Sequence, residues 1–127
     1  MAELANVNWL AVIVGAVAAF LAGWLWYSPR LFGVKWAEGS RVELGSANEM
    51  PAFALLTQAI ALLLLATVIG ITATQNMLLT AILTILAAAA FVLSGGAFTR
   101  KSGYALGVDA GYIALAGVLM ILAQGLL

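Results

Sequence analysis

Four long apolar runs dominate this chain and decide what it can fold into. They cover about residues 7–27 (VNWLAVIVGAVAAFLAGWLWY), 51–71 (PAFALLTQAIALLLLATVIGI), 77–98 (MLLTAILTILAAAAFVLSGGAF) and 105–127 (ALGVDAGYIALAGVLMILAQGLL). A helix crossing roughly 30 Å of hydrocarbon needs about 20 predominantly apolar residues, and each run meets that length. Each is apolar on all faces, which suits a helix in lipid or a buried core rather than one lying half in water. Of the 127 residues, 65% are hydrophobic and 8% charged, against about 25% charged in soluble domains. A soluble domain of this size leaves too much of its chain exposed to hide that apolar surface. The predicted fold class is therefore an all-α membrane protein: one domain over residues 1–127, with four transmembrane helices and the bilayer as its first partner.

Several function classes fall away on residue types alone. There is no cysteine and no histidine, so thiolate chemistry, the commonest general base and the usual haem and zinc ligands are missing. No phosphate-cradling glycine loop is present, and the one long connection is too short for a catalytic domain. The expectation is a non-enzyme with no cofactor and no metal. Net charge is zero without a basic tract, so nucleic acid is not an expected partner. The first apolar run has no basic residue before it and is too long for a signal-peptide core. It is expected to stay in the mature chain.

The connections fit helices. Pro51 suits the first turn of the second span, TATQN at 72–76 is a tight break, and Ser102 is placed to cap the last span. The long connection, about 28–50, carries LFGVKW, whose Leu31, Phe32 and Trp36 suit a short interfacial helix between the first and second spans. All five basic residues (Arg30, Lys35, Arg41, Arg100, Lys101) fall in the first and third connections. Four spans put those connections on one side, and loop Lys and Arg stay cytoplasmic. The expected location is the bacterial inner membrane, with both termini on the periplasmic or exterior face. Trp26, Tyr27, Trp36, Arg30, Lys35, Arg100 and Lys101 are expected to anchor the cytoplasmic interface, and Trp9 the opposite one.

NWLAV at 8–12, WYSP at 26–29, LFG followed by Trp36, and DAGY at 109–112 stand in order along the chain. In that order, and in a four-span protein of this size, they resemble a family of small bacterial membrane proteins catalogued as DUF1761. The resemblance runs from the first span to the last. It implies a four-helix membrane fold and assigns no activity to any residue.

Asp109 is the one carboxylate within a span. It lies eight residues past Lys101, so about 12 Å along the helix at 1.5 Å per residue. A charge at the bilayer centre costs about 2.5 to 3.5 kcal/mol, and at this depth the carboxylate needs a partner or a proton. Counting inward from the basic side, Gln58, Ser94 and Trp24 reach similar depths, and Tyr112 follows one turn later on the same helix. Asp109, Tyr112, Gln58, Ser94 and Trp24 are therefore read as one intramembrane polar layer.

Small residues recur at four-residue spacing: Ala11, Gly15, Ala19 and Gly23 in the first span, and Gly103, Gly107 and Gly111 at the start of the fourth. Such stripes let helix backbones approach each other. They serve packing inside the unit or contact with another subunit. The functional reading is a membrane protein acting as a homo-oligomer or as an accessory component of a larger membrane complex. The alternative is a small oligomeric proton- or cation-coupled transporter using Asp109.

Overall fold

The computed structural model describes residues 2–42 and 52–127. Among these residues, five α-helices follow a short 3-10 turn at Ala2–Leu4: α1 Trp9–Trp26, α2 Gly33–Ser40, α3 Ala52–Thr74, α4 Leu78–Phe98 and α5 Gly103–Leu126. No strand is present among the described residues. Helices α1, α3, α4 and α5 are each long and apolar enough to span a membrane. The placement of Pro51 at the head of α3 lies outside the described residues.

Local chemistry sets the helix ends. Asn8 caps α1, its side-chain oxygen accepting from the Ala11 amide at 3.1 Å, and Ser102 caps α5 through Ala105 at the same distance. Three helices stop on a non-glycine residue in the left-handed region: Arg41, Asn76 and Arg100, with φ of 59°, 55° and 61°. After each, the next amide reaches back five residues: Val42 to Ala37 O, Met77 to Thr72 O and Lys101 to Gly96 O, each at 3.0 Å. These bonds satisfy carbonyls that a helix end otherwise leaves open. The short turn that follows α3 makes the tight reversal expected from TATQN, and a second short turn follows α4.

Helix α5 is the hub, packing against α1, α2, α3 and α4. The core it organises is built from small and mid-sized side chains, among them Ala16, Ala19, Ala66, Ala81, Ala116, Val12, Leu62 and Met120. The large apolar side chains point outward: Phe91 and Phe98 are 81% and 87% exposed. Small residues inside and bare phenylalanines outside are the reverse of a water-soluble bundle, and fit a bundle whose outer solvent is lipid.

The α1–α5 seam shows why small residues are needed. A methyl placed on Gly15 would lie 3.2 Å from Met120 Cα and 3.4 Å from Ala123 Cβ, and one on Gly23 would lie 2.9 Å from the Tyr112 hydroxyl. Ala11 and Ala19 are buried on the same seam. The first-span stripe is thus spent inside the bundle. The α5 stripe divides: Gly111 meets the Trp26 ring, whereas among the described residues nothing lies within 4 Å of a methyl added to Gly103 or Gly107.

The two ends of the bundle differ. At one, the Ser102 amide donates to Gly39 O at 3.0 Å, and the Arg41 guanidinium donates to Thr99 O. These bonds tie the first and third connections, with all five basic residues, to one end. At the other, Gly70 of α3 sits against Val7 and Gln124, close to both termini.

Candidate functional site

The chain turns sharply after α1. The Leu31 amide donates to Ser28 O at 3.1 Å and Gly33 to the same oxygen at 2.9 Å, so the path reverses through Ser28 and Pro29. Gly33 is required there, since an added methyl would fall on the backbone of Tyr27 and Ser28. The reversal lays α2 across the end of the bundle against α5. Helix α2 begins two residues after Leu31, and Trp36 turns inward rather than into the interface.

Asp109 sits on α5 beneath this cover, 7% exposed. Three side chains from outside the helix converge on it. The Tyr27 hydroxyl donates to Oδ1 at 2.6 Å, and the Trp36 indole Nε1 donates to the same oxygen at 2.8 Å. The Lys101 ammonium lies 2.8 Å from Oδ2, an ion pair, and 5.5 Å from the centre of the Trp36 ring. Charge-assisted bonds of this kind are the strong ones, and here they join the end of α1, the middle of α2 and the α4–α5 turn to α5. The Tyr27 ring also meets Trp36 and Tyr112 edge-on, at centroid distances of 4.9 and 5.6 Å. Tyr27 lies one residue beyond α1; burial first, and then its bond to Asp109, raises its pKa above the ordinary 10.0, so the phenol stays a donor.

Two further ties flank the carboxylate. The Trp26 indole donates to Val108 O at 2.9 Å, and the Tyr112 hydroxyl donates to Ala19 O at 2.7 Å, both between α1 and α5. Gly111 leaves room for the Trp26 ring and Gly23 for the Tyr112 hydroxyl. WYSP and DAGY, far apart in sequence, are therefore two halves of one contact.

The polar layer read from depth along each span is not what surrounds Asp109. Trp24 is 61% exposed and Ser94 is exposed on α4; both face away from it. Gln58 is half-buried on α3 and stands near the Tyr112 hydroxyl. Tyr112 itself bonds backbone rather than Asp109. Its partners are Tyr27, Trp36 and Lys101, which composition alone places at the interface as anchors. A physical signal did point to Lys101: carboxylates within a membrane pair with a nearby cation, and Lys101 is the nearest one in sequence. The contribution of α2 had no such signal, because nothing in LFGVKW states which way Trp36 faces. Of the other expected anchors, Trp9, Arg30, Lys35 and Arg100 are exposed, and Trp26 is half-buried against α5. Lys35 lies 5.5 Å from the centre of the Tyr104 ring.

The site holds one carboxylate, and its donors leave no ligand set for a metal; no group of three or more metal-binding side chains occurs among the described residues. A cleft of about 360 Å³ lies at the opposite end, lined by residues including Thr72, Asn76 and Gln124, and an apolar one of about 300 Å³ lies between α1 and α3. Neither is lined by any member of the Asp109 cluster. What the arrangement can do chemically is hold four segments together through one anion.

No curated protein and no solved structure matches the chain. A family model matches residues 10–125, nearly the whole length and every helix of the bundle. The chain belongs to the family described as "Protein of unknown function (DUF1761)".

Proposed function

We propose that this protein is a non-catalytic structural component of the bacterial cytoplasmic membrane, working as a homo-oligomer or as an accessory subunit of a larger membrane complex. The observation that supports this most is the state of Asp109. Both its oxygens are engaged by donors from α1, α2 and the α4–α5 turn. A carboxylate that couples transport must exchange a proton or cation with water during its cycle. This one instead closes the end of the bundle, and both clefts lie elsewhere. The basic end faces the cytoplasm in this reading. The open α5 positions Gly103 and Gly107 offer a surface where another helix can approach.

The test is purification in mild detergent with measurement of particle mass, followed by reconstitution into proteoliposomes under a pH gradient. The structural reading expects a complex larger than one chain and no proton-linked flux. Flux that vanishes in Asp109→Asn would replace it with the coupled-transporter reading.

A further inference from the structure

The Lys101 ammonium is held the way a bound ligand is held. A carboxylate oxygen lies 2.8 Å from its nitrogen and an indole ring lies to one side, with the ring centre at 5.5 Å. An anion together with an aromatic face is the chemistry that recognises an alkylammonium ion. The other carboxylate oxygen is fixed independently by Tyr27 and Trp36. Those two donors act on a different oxygen from the one that meets the cation.

The stem of Lys101 has its own bed. Gly96 of α4 is buried, and a methyl placed on it would lie 3.2 Å from Lys101 Cδ and 3.8 Å from Cγ. The absence of a side chain there leaves a notch in α4 that Leu106 Cδ2, which would lie 2.6 Å from that methyl, shares with the Lys101 methylenes. The Lys101 side chain is 25% exposed and that of Asp109 is 9% exposed. The stem therefore runs, packed against Gly96, from the basic end of the bundle to a nearly dry carboxylate.

We propose that Asp109, Trp36 and Tyr27 form a preassembled binding site for a primary ammonium group, which Lys101 occupies as a tethered ligand. The ligand class is an unbranched alkylammonium, R–NH3+. It has N–H donors for Oδ2 and a stem thin enough for the Gly96 notch. A quaternary ammonium has neither. With Lys101 removed, two sources can bring this group to that end of the bundle: a soluble amine and the ethanolamine headgroup of a phospholipid. The proposal rests on the reading of Asp109 as a fixed clamp that closes the end of the bundle.

The experiment removes the tethered ligand and supplies it in solution. Lys101→Ala protein is prepared in detergent containing n-propylammonium chloride, and its thermal unfolding is followed by tryptophan fluorescence with the amine present and after dialysis. The variant is expected to lose several degrees on dialysis. It should regain them as propylammonium is returned, the gain growing with the logarithm of amine concentration above the dissociation constant. Sodium chloride and tetramethylammonium chloride at equal concentration should restore nothing, the wild-type midpoint should not move, and Lys101→Ala/Asp109→Asn should not respond. In vesicles without added amine, greater stability of Lys101→Ala with ethanolamine than with choline headgroups identifies the lipid as the source; equal stability, with rescue by propylammonium, identifies a soluble amine. Restoration by sodium or tetramethylammonium, a response in the double variant, no restoration, or failure to fold even in propylammonium each overturns the site. Proton-linked flux would overturn the structural role without producing any of those results, so the two failures are distinguishable.

Discussion

The Tyr27 hydroxyl donates to Asp109 Oδ1 at 2.6 Å, joining the residue just past the first span to the second turn of the last. The geometry makes Tyr27 a clamp on a charged acceptor. Hydrogen bonds to charged groups contribute about 1.5 to 3 kcal/mol, and Tyr27 is only half-buried. Tyr27→Phe should therefore destabilise the bundle by about 1.5 kcal/mol, at the low end of that range. Chemical or thermal unfolding in detergent measures it. A variant as stable as wild type would show that the bond contributes nothing net.

The same tyrosine predicts an alkaline limit. Its folded pKa lies above the ordinary 10.0, because burial and then the bond to Asp109 favour the neutral phenol. The folded state binds that proton more tightly than the unfolded state. The resulting stabilisation is complete below pH 10.0 and is lost progressively as pH rises above it. Wild-type stability should therefore fall more steeply above that pH than that of Tyr27→Phe. Parallel slopes for the two proteins would contradict the assignment.

At Asp109 itself the partners set the order of damage. Asn keeps an acceptor for Tyr27 and Trp36 but turns a donor toward the Lys101 ammonium, which must then swing out to water. Ala leaves all three donors without an acceptor. Costs of about 1 to 3 kcal/mol for Asp109→Asn and about 3 to 5 kcal/mol for Asp109→Ala follow from unpaired buried polar groups and broken buried ion pairs. Unfolding midpoints of the two variants decide this. Equal loss in both would mean that the ion pair, rather than the Tyr27 and Trp36 bonds, carries the whole effect.

The glycine stripes now separate by role. Gly15→Leu drives a side chain into Met120 Cα and should cost about 3 kcal/mol or more, since backbone cannot yield as a side chain can. Gly107→Leu meets open space and should leave the fold intact. If that face contacts another subunit, it should lower the particle mass in detergent. A Gly107→Leu protein with wild-type stability and mass would place that face against lipid.

How much of this was legible in the sequence depends on which force set each feature. The four spans were readable because a bilayer imposes length and apolarity on every residue in the run, so their bounds shift by only a few residues. The Ser102 cap was readable because capping is local. Asp109 was identifiable as the residue to explain, since a lone carboxylate within a span is expensive. Its neighbours were misread because depth along a helix says nothing about azimuth. Ser94 and Trp24 share the depth of Asp109 and face away from it. Tyr27 and Trp36 were placed at the interface by composition. The Ser28–Pro29 reversal folds α2 back over the bundle end, and that non-local path brings Trp36 against Tyr27. The small-residue stripes were recognisable as packing surfaces, but no periodicity states which partner they meet. Gly15 meets α5, whereas Gly107 meets nothing among the described residues.

Threading is the remaining prediction, and the structure selects its reporters. The chain has no cysteine, so each introduced thiol reports alone. Ser40 is a poor choice because its hydroxyl is buried, and Ser102 caps α5. Asn76 occupies the left-handed region, where a residue other than glycine or asparagine is strained. Glu38 on α2 and Gln75 in the α3–α4 turn are both exposed. They lie at opposite ends of the bundle, Glu38 among the five basic residues. With loop Lys and Arg retained in the cytoplasm, Glu38→Cys should react with an impermeant maleimide only in inside-out vesicles, and Gln75→Cys only in intact spheroplasts. The reverse pattern would invert the assigned orientation. Reaction of both cysteines in both preparations would mean that the chain inserts in two orientations, which the five-to-zero distribution of basic residues between the two sides argues against.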